Sequence, residues 1–587
     1  MIQKLFASLT TKKAIFIIVI LGIIVYFNAL FGKFVWDDES QIIQSPLTYS
    51  IKNIPLIFTS SVVSFFYRPV FLSFLTIIHS VFGTNVFFFH FFQLLIHITN
   101  TILVFLLFTR FLNKKLSLFL AVFFLIHPIN VESVAYISAV SDPLFVMLGL
   151  ASLHIVTKEK VTWVSYVAAL TLMLLSLLTK EAGVLLLFMT PIYLFLFKVR
   201  DKVNISRNLL FAFIPLSVYL FLRLVVARTF FVSIDYAVVA QTSLTERLIS
   251  IPKIFYFYIS TFFLPWKLSV SQHWIVAKIT PQDFYIPLFL STLFFIALFV
   301  GALFLYKKHK KDFRAFLFFL LWFLGGMGFY LQIVPLDMTV AERWFYLPII
   351  GLLAMIGLIV KNLKIRSKRV RFVGTVVGLL IILGFSIRTV VRNTNWSEPI
   401  TLYTHDSKIS DNFNIQNLLG GEYFSMKKYD EAIIHYEKSV DYFPIEINLY
   451  NLGNTYFQIN NLQKAEEYYR KAINKGYSLK NVIDNQSDFK AHPYMGLAKV
   501  LLFTERAEQA KEVIEGGLKD YPNSGGLWFM LAILEYKLHN YEDALTAAIK
   551  AKALTPNSNT IYVYTQISNK QPIDLSSSNR ADYRIEP

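Results

Sequence analysis

Apolar residues run in long blocks along the first two thirds of the chain and give way, from Asn393 onward, to a polar pattern with helical period. A backbone away from water must close its hydrogen bonds within a helix, so a crossing takes about 20 apolar residues. On that rule eleven spans are predicted, near 14–30, 86–108, 116–127, 143–157, 161–178, 183–197, 208–227, 285–306, 315–333, 345–360 and 372–388. The first block follows Lys12 and Lys13, is longer than a signal-peptide core and ends in no small-residue cleavage pattern, so it reads as an uncleaved span. Ile251 to Trp266 is also long enough to cross, yet a crossing there breaks the alternation of the loops. A re-entrant or interfacial segment is expected instead.

Every second loop is basic. The cations are Arg110, Lys114 and Lys115; Lys158 and Lys160; Lys198, Arg200 and Lys202; Lys307, Lys308, Lys310 and Lys311; and Lys364, Arg366, Lys368, Arg369 and Arg371. Such loops stay cytoplasmic, which puts the N-terminus inside a cell (inner) membrane and the polar C-terminal region outside. The remaining loops then share the outer face and hold the unusual polar residues. These are Trp36-Asp37-Asp38-Glu39, the stretch His127 to Asp142, Thr179-Lys180-Glu181, and Asp337 to Arg343.

The composition fits this reading, with 55% hydrophobic and only 16% charged residues, against roughly a quarter charged in soluble domains. The net charge of +18 sits largely in short loops, so it is a topology signal rather than a nucleic-acid footprint. With no cysteine, disulfides and thiolate metal sites are excluded.

The polar region repeats internally. Leu419, Gly420, Tyr423, Ala432, Tyr436 and Pro444 are followed by Leu452, Gly453, Tyr456, Ala465, Tyr469 and Ala472. After an insertion come Leu497, Ala498, Ala510 and Pro522, then Trp528, Leu531, Ala532, Ala544, Ala551 and Pro556. This spacing resembles tetratricopeptide repeats, paired helices that stack into a solenoid and bind peptides or proteins, or serve as a spacer. The expected architecture is all-α: a transmembrane bundle over 1–392, repeats over 393–570 and a disordered polar tail over 571–587.

Several polar groups are candidates for chemistry. Asp37 and Asp38 are adjacent acids just past the first span; they are either solvated loop acids or a base for a hydroxyl proton. His90, Gln93, His97 and Asn100 share one face of a predicted span, for interhelical hydrogen bonds or for a polar cavity. Arg68, in Tyr67-Arg68-Pro69 before a surface-lying helix, suits a phosphate or lipid headgroups. His127, Glu132 and Asp142 form a polar cluster whose spacing is weak evidence for a divalent cation. Arg343 offers a bidentate fork to phosphate, or pairs with Glu342 or Asp337.

Taken in order along the chain, Phe34-Val35-Trp36-Asp37-Asp38, Tyr67-Arg68-Pro69, His90 through His97, His127 through Asp142, Lys180-Glu181 and Ala341-Glu342-Arg343-Trp344-Phe345-Tyr346-Leu347-Pro348 resemble a family. It is the tetratricopeptide-containing transmembrane O-mannosyltransferases and their bacterial relatives, within the GT-C superfamily of membrane glycosyltransferases. The resemblance implies a polyprenyl- or dolichyl-phosphate sugar donor and a hydroxyl acceptor, a protein or peptide, on the outer face. Asp37 would be the base with Asp38 beside it, and Arg343, Lys180 and Arg68 would meet the donor phosphate. His90, His97, His127, Glu132, Asp142 and Glu342 would line the polar cavity. No bound cofactor is firmly implied. Two other classes compete: an O-antigen ligase or polymerase, whose key residues sit in a large late outer loop, and a non-enzymatic membrane scaffold presenting repeats.

Overall fold

The computed structural model describes residues 9–60, 66–158, 160–197, 202–230, 237–364, 366–476, 487–574 and 584–585. The chain is all-α apart from short pairings such as Ile573–Asp574 against Arg584–Ile585. It divides into two compact units, Met1–Ser410 and Asp411–Pro587.

Helices occupy the predicted spans of the first unit, but fewer reach crossing length than expected. Five do so among the described residues: Thr11–Phe31, Val86–Phe108, Ile137–Val156, Pro281–Lys308 and Lys368–Asn395. A sixth forms if Lys114–Ile126 and Pro128–Ala135, bent by 50°, count as one span. Others are shorter: Trp163–Thr179 has 17 residues, roughly 25 Å at helical rise. Hydropathy registers an apolar run, whereas the structure shows where 3₁₀ turns and loops interrupt it.

Loops of like parity meet. On the basic side Arg110 reaches Thr157, Tyr193 and His154, while Lys361 binds Asp312 and the Phe111 carbonyl. Lys198 and Arg200 lie outside the described residues. The disputed stretch is part of a helix, Leu244–Phe263, opened by a Ser243/Glu246 capping box. Toward its start Lys253 pairs with Asp283 at 2.7 Å and Ser250 accepts from Val276 N–H. Toward its end the Phe262 carbonyl lies 3.0 Å from His127 Nε2, and Arg388 donates to the Pro265 and Trp266 carbonyls. These contacts tie the helix to the loop that follows it and to residues at the ends of two other helices.

The first unit extends past the expected boundary at Arg392, to Ser410. Trp396, Tyr403 and Asp406 are buried in it, and Arg392 meets Asp406 with both partners fully buried. Composition marks the end of the apolar helix, not the end of the packed unit.

The second unit is built of helix pairs, the first being Phe413–Ser425 with Tyr429–Tyr442 and the second Glu446–Gln458 with Leu462–Lys475. The small residues are spatially required: a Cβ on Gly420 would sit 2.6 Å from the Tyr436 ring. Each pair turns through one residue in left-handed conformation, Lys427, Asn460, Glu505 and His539 in succession. The tail departs from expectation. Tyr536 donates to the Gln571 carbonyl at 3.0 Å and Ile573 is buried, so its start packs on the last repeat. Residues 575–583 and 586–587 lie outside the described residues.

Candidate functional site

The loop after the first helix turns sharply at Trp36, which adopts φ 54°. A bulky side chain there is strained and persists only if its surroundings hold it. Trp36 N–H donates to Tyr403 Oη at 3.0 Å, and its indole stacks on Tyr136 with ring centroids 5.8 Å apart. The turn sends the two following acids into different environments. Asp38 is fully buried and accepts from Val35 N–H, Ser138 N–H and Ser138 Oγ at 3.1, 2.8 and 2.6 Å. Burial pushes its carboxyl up to about 7 against those hydrogen bonds. Asp37 is half-buried. Its Oδ2 accepts from Tyr136 Oη at 2.8 Å, and its Oδ1 has no partner among the described residues. Burial raises its pKa, while Tyr136 and Arg343 oppose the shift and Asp337 adds to it. Asp38 is thus a strut tying two loops together, and Asp37 is the acid with an oxygen to offer.

The cations named from the sequence each hold a carboxylate, and of them Arg343 bears on Asp37. Arg343 Nη1 donates to Glu132 Oε1, and the Arg343 backbone N–H donates to Oε2 of the same carboxylate at 2.9 Å. Neither Glu342 nor Asp337 is that guanidinium's hydrogen-bonded partner. Lys180 Nζ donates to both oxygens of Asp142 at 2.7 Å. Burial lowers the Lys180 pKa, with Asp142 opposing and the charges of Arg68 and Arg343 adding to the shift. Arg68 binds Glu181 at 2.9 Å, and Arg223 reaches the other oxygen of the same carboxylate at 3.3 Å. These charges feel one another, so the loops that carry them build one electrostatic cluster. A guanidinium has five N–H donors, so pairing with a carboxylate leaves donors over for a second anion.

The other polar residues serve the walls. His97 joins Tyr346 Oη at 2.7 Å and the Leu125 carbonyl at 2.9 Å. Asn100 donates to the Pro143 carbonyl, and Gln93 to the carbonyls of Ser133 and Tyr136. His90 is buried against Gly32, where a Cβ would come within 3.2 Å of its Nε2. His127 is held by the Phe262 carbonyl and accepts Ile129 N–H. With Glu132 on Arg343 and Asp142 on Lys180, these three do not converge, and no group of three metal-ligating side chains occurs among the described residues. Glu342 faces away from Arg343, toward Arg392 at 3.6 Å with both side chains fully buried, and burial pushes its carboxyl up to about 8. Of the residues expected to line a polar cavity, His97 and His127 are thus engaged in buried hydrogen bonds between elements and Glu342 faces Arg392, while the ring nitrogens of His90 are buried without a hydrogen-bond partner among the described residues.

Three contributors escaped the sequence reading. Arg223 carried a usable signal, a charge inside an apolar run, since such residues face partners or pathways. Tyr136 and Tyr330 carried none, because tyrosine is frequent here and its importance depends on its neighbours. Tyr330 stacks on Trp344 at 4.9 Å within the fields of Asp142, Arg68, Arg343 and Glu181.

Comparison with known proteins adds two findings. Residues 413–445, 449–474 and 495–559 match the tetratricopeptide repeat. Across the longer chain, the human protein O-mannosyl-transferase TMTC3 is 22% identical, covering 90% of this chain and 67% of its own. A Caenorhabditis elegans protein O-mannosyl-transferase is 23% identical over 69% of this chain and 59% of its own. This chain thus spans about two thirds or less of these relatives' length. Among solved structures, YrrB, a TPR protein with an unusual peptide-binding site, matches 28% of this chain and 82% of its own at 14% identity and a TM-score of 0.23. The relatives are the same group that the outer-loop motifs resemble, and the chain is a multi-pass membrane protein with tetratricopeptide repeats.

Proposed function

We propose that this chain is an integral membrane glycosyltransferase that moves a mannose-like sugar from a polyprenyl- or dolichyl-phosphate donor to a hydroxyl of a protein or peptide. The observation that carries the reading is the Asp37 carboxylate, half-buried, with one oxygen fixed and the other open, beside Arg343 and its neighbouring cations. In the proposed step the acceptor hydroxyl gives its proton to Asp37 as its oxygen bonds the anomeric carbon. The bond from that carbon to the phosphate oxygen breaks on the opposite face, and its electron pair leaves with the lipid phosphate. Attack opposite the leaving group inverts the anomeric centre. Arg343, Lys180 and Arg68 stabilise the charge gathering on the phosphate, each from within an existing ion pair. A carboxyl with a raised pKa is a stronger base than an ordinary one once ionised. The names of the relatives support the transferase class and mannose, and the repeats suit recruitment of a protein acceptor on the outer side of the membrane.

The test is Asp37→Asn, which keeps the shape and removes the basicity. Turnover should fall by on the order of 10²–10⁴, with donor affinity nearly unchanged because the phosphate is held by other residues. Wild-type transfer by Asp37→Asn would falsify the mechanism.

A further inference from the structure

The ring that meets Asp37 is itself clamped. Tyr136 is 2% exposed and lies between two indoles, Trp36 at 5.8 Å with an interplanar angle of 11° and Trp396 at 5.6 Å with 25°. Its backbone carbonyl accepts from Gln93 Nε2 at 2.7 Å, so a helix pins the main chain as the indoles pin the ring. The outer faces of the clamp are anchored in turn: Trp36 N–H donates to Tyr403 Oη, and the helix that ends before Trp396 carries Arg392, which is locked onto Asp406. The hydroxyl of Tyr136 meets Asp37 at 2.8 Å, and the Arg343 guanidinium carbon lies 6.0 Å from the ring centroid. A buried phenol O–H needs an acceptor, and here its single donor goes to that carboxylate.

We propose that Tyr136 is a positioning residue for Asp37: held between Trp36 and Trp396, its hydroxyl fixes Oδ2 and presents Oδ1 to the acceptor. The proposal rests on the reading of Asp37 as the base. A carboxylate torsion is broad and twofold, so without that hydrogen bond Asp37 turns and the open oxygen loses its aim. The same bond stabilises the charged carboxylate and therefore opposes the upward pull of burial on its pKa. Loss of the hydroxyl lets that pKa rise further. The acid limb of the rate profile, where Asp37 takes up its proton, then moves to higher pH.

The experiment uses the full chain in detergent, polyprenyl-phosphate mannose and a serine-rich peptide, and compares wild type, Tyr136→Phe and Asp37→Asn. Phenylalanine keeps both stacking contacts. The expected result is a fall in kcat of roughly ten- to a hundredfold, the range for a hydrogen bond to a charged group. Donor KM should stay near wild type and the acid limb should shift upward. Replacing Tyr136 by difluorotyrosine, a stronger donor with the same shape, should move that limb downward instead. If Asp37→Asn is silent, the reading of the base fails. If Asp37→Asn is crippled while Tyr136→Phe keeps the wild-type rate and profile, the base stands and the positioning role is overturned. A rate loss with an unmoved limb and a raised donor KM also overturns it, placing Tyr136 in substrate binding or packing.

Discussion

Replacing Arg343 by alanine strands Glu132. That carboxylate is fully buried, and its guanidinium partner is only 13% exposed, so solvent does little to replace the lost charge. Breaking a buried pair from one side costs about 3–5 kcal/mol. The alternative for Glu132 is to take up a proton. From an ordinary glutamate pKa this costs roughly 1.36 × 2.7 ≈ 3.7 kcal/mol at pH 7 but only about 1 kcal/mol at pH 5. The two routes agree in size at pH 7, so Arg343→Ala should be destabilised by about 3–4 kcal/mol there and recover most of it at pH 5. The direction follows because a proton neutralises the stranded acid more readily as pH falls. Arg343→Met with Glu132→Gln removes both charges and should return near wild-type stability at both pH values, since well-packed neutral replacements of buried pairs are often tolerated. Thermal unfolding in detergent reads the stability, and lipid-phosphate sugar binding on the same samples reads the proposed phosphate role. Arg343→Ala melting with wild type at pH 7 would refute the buried-pair reasoning. A stable double variant that binds donor like wild type would leave Arg343 structural and remove it from the mechanism.

Two further outcomes follow from the architecture. In this cysteine-free chain, single cysteines at exposed Ser40 and exposed Lys310 should respond oppositely to an impermeant thiol reagent on intact cells, Ser40 reacting and Lys310 not. The reverse pattern would put the Asp37 cluster on the cytoplasmic side. A chain ending after Ser410 should be stable and bind donor while transferring poorly to protein acceptors. One ending after Arg392 loses Trp396, Tyr403 and Asp406, and should unfold at lower temperature; equal melting of the two would refute the placement of 396–410 within the first unit.

The motif residues were readable because each outer loop concentrates polar side chains between apolar blocks, and loop parity alone put Asp37, Arg68, Lys180 and Arg343 on one side. Their division of labour came only from the family resemblance, which gave Asp37 as the base, and not from the residues themselves. Asp37 and Asp38 are neighbours of identical chemistry, and only the loop that closes over them decides which is buried on Ser138 and which is left open. For Arg343 the sequence offered a phosphate or a local partner, Glu342 or Asp337, whereas its carboxylate is Glu132, 211 positions away.

What the sequence by itself determined depends on local period and local composition: apolar blocks that must be helical in a membrane, cations that mark every second loop, and a repeat whose small residues sit where ring meets backbone, as at Gly420 and Tyr436. Those signals survive without knowing what touches what. The tertiary structure decided the number of helices of crossing length, the boundary at Ser410, and every charge partner around Asp37. A buried charge is stabilised by whichever group arrives within a few ångströms, and here the groups come from loops far apart in the chain. Trp36 and Tyr403 are separated by 367 positions and meet through one hydrogen bond; no window along the sequence contains both.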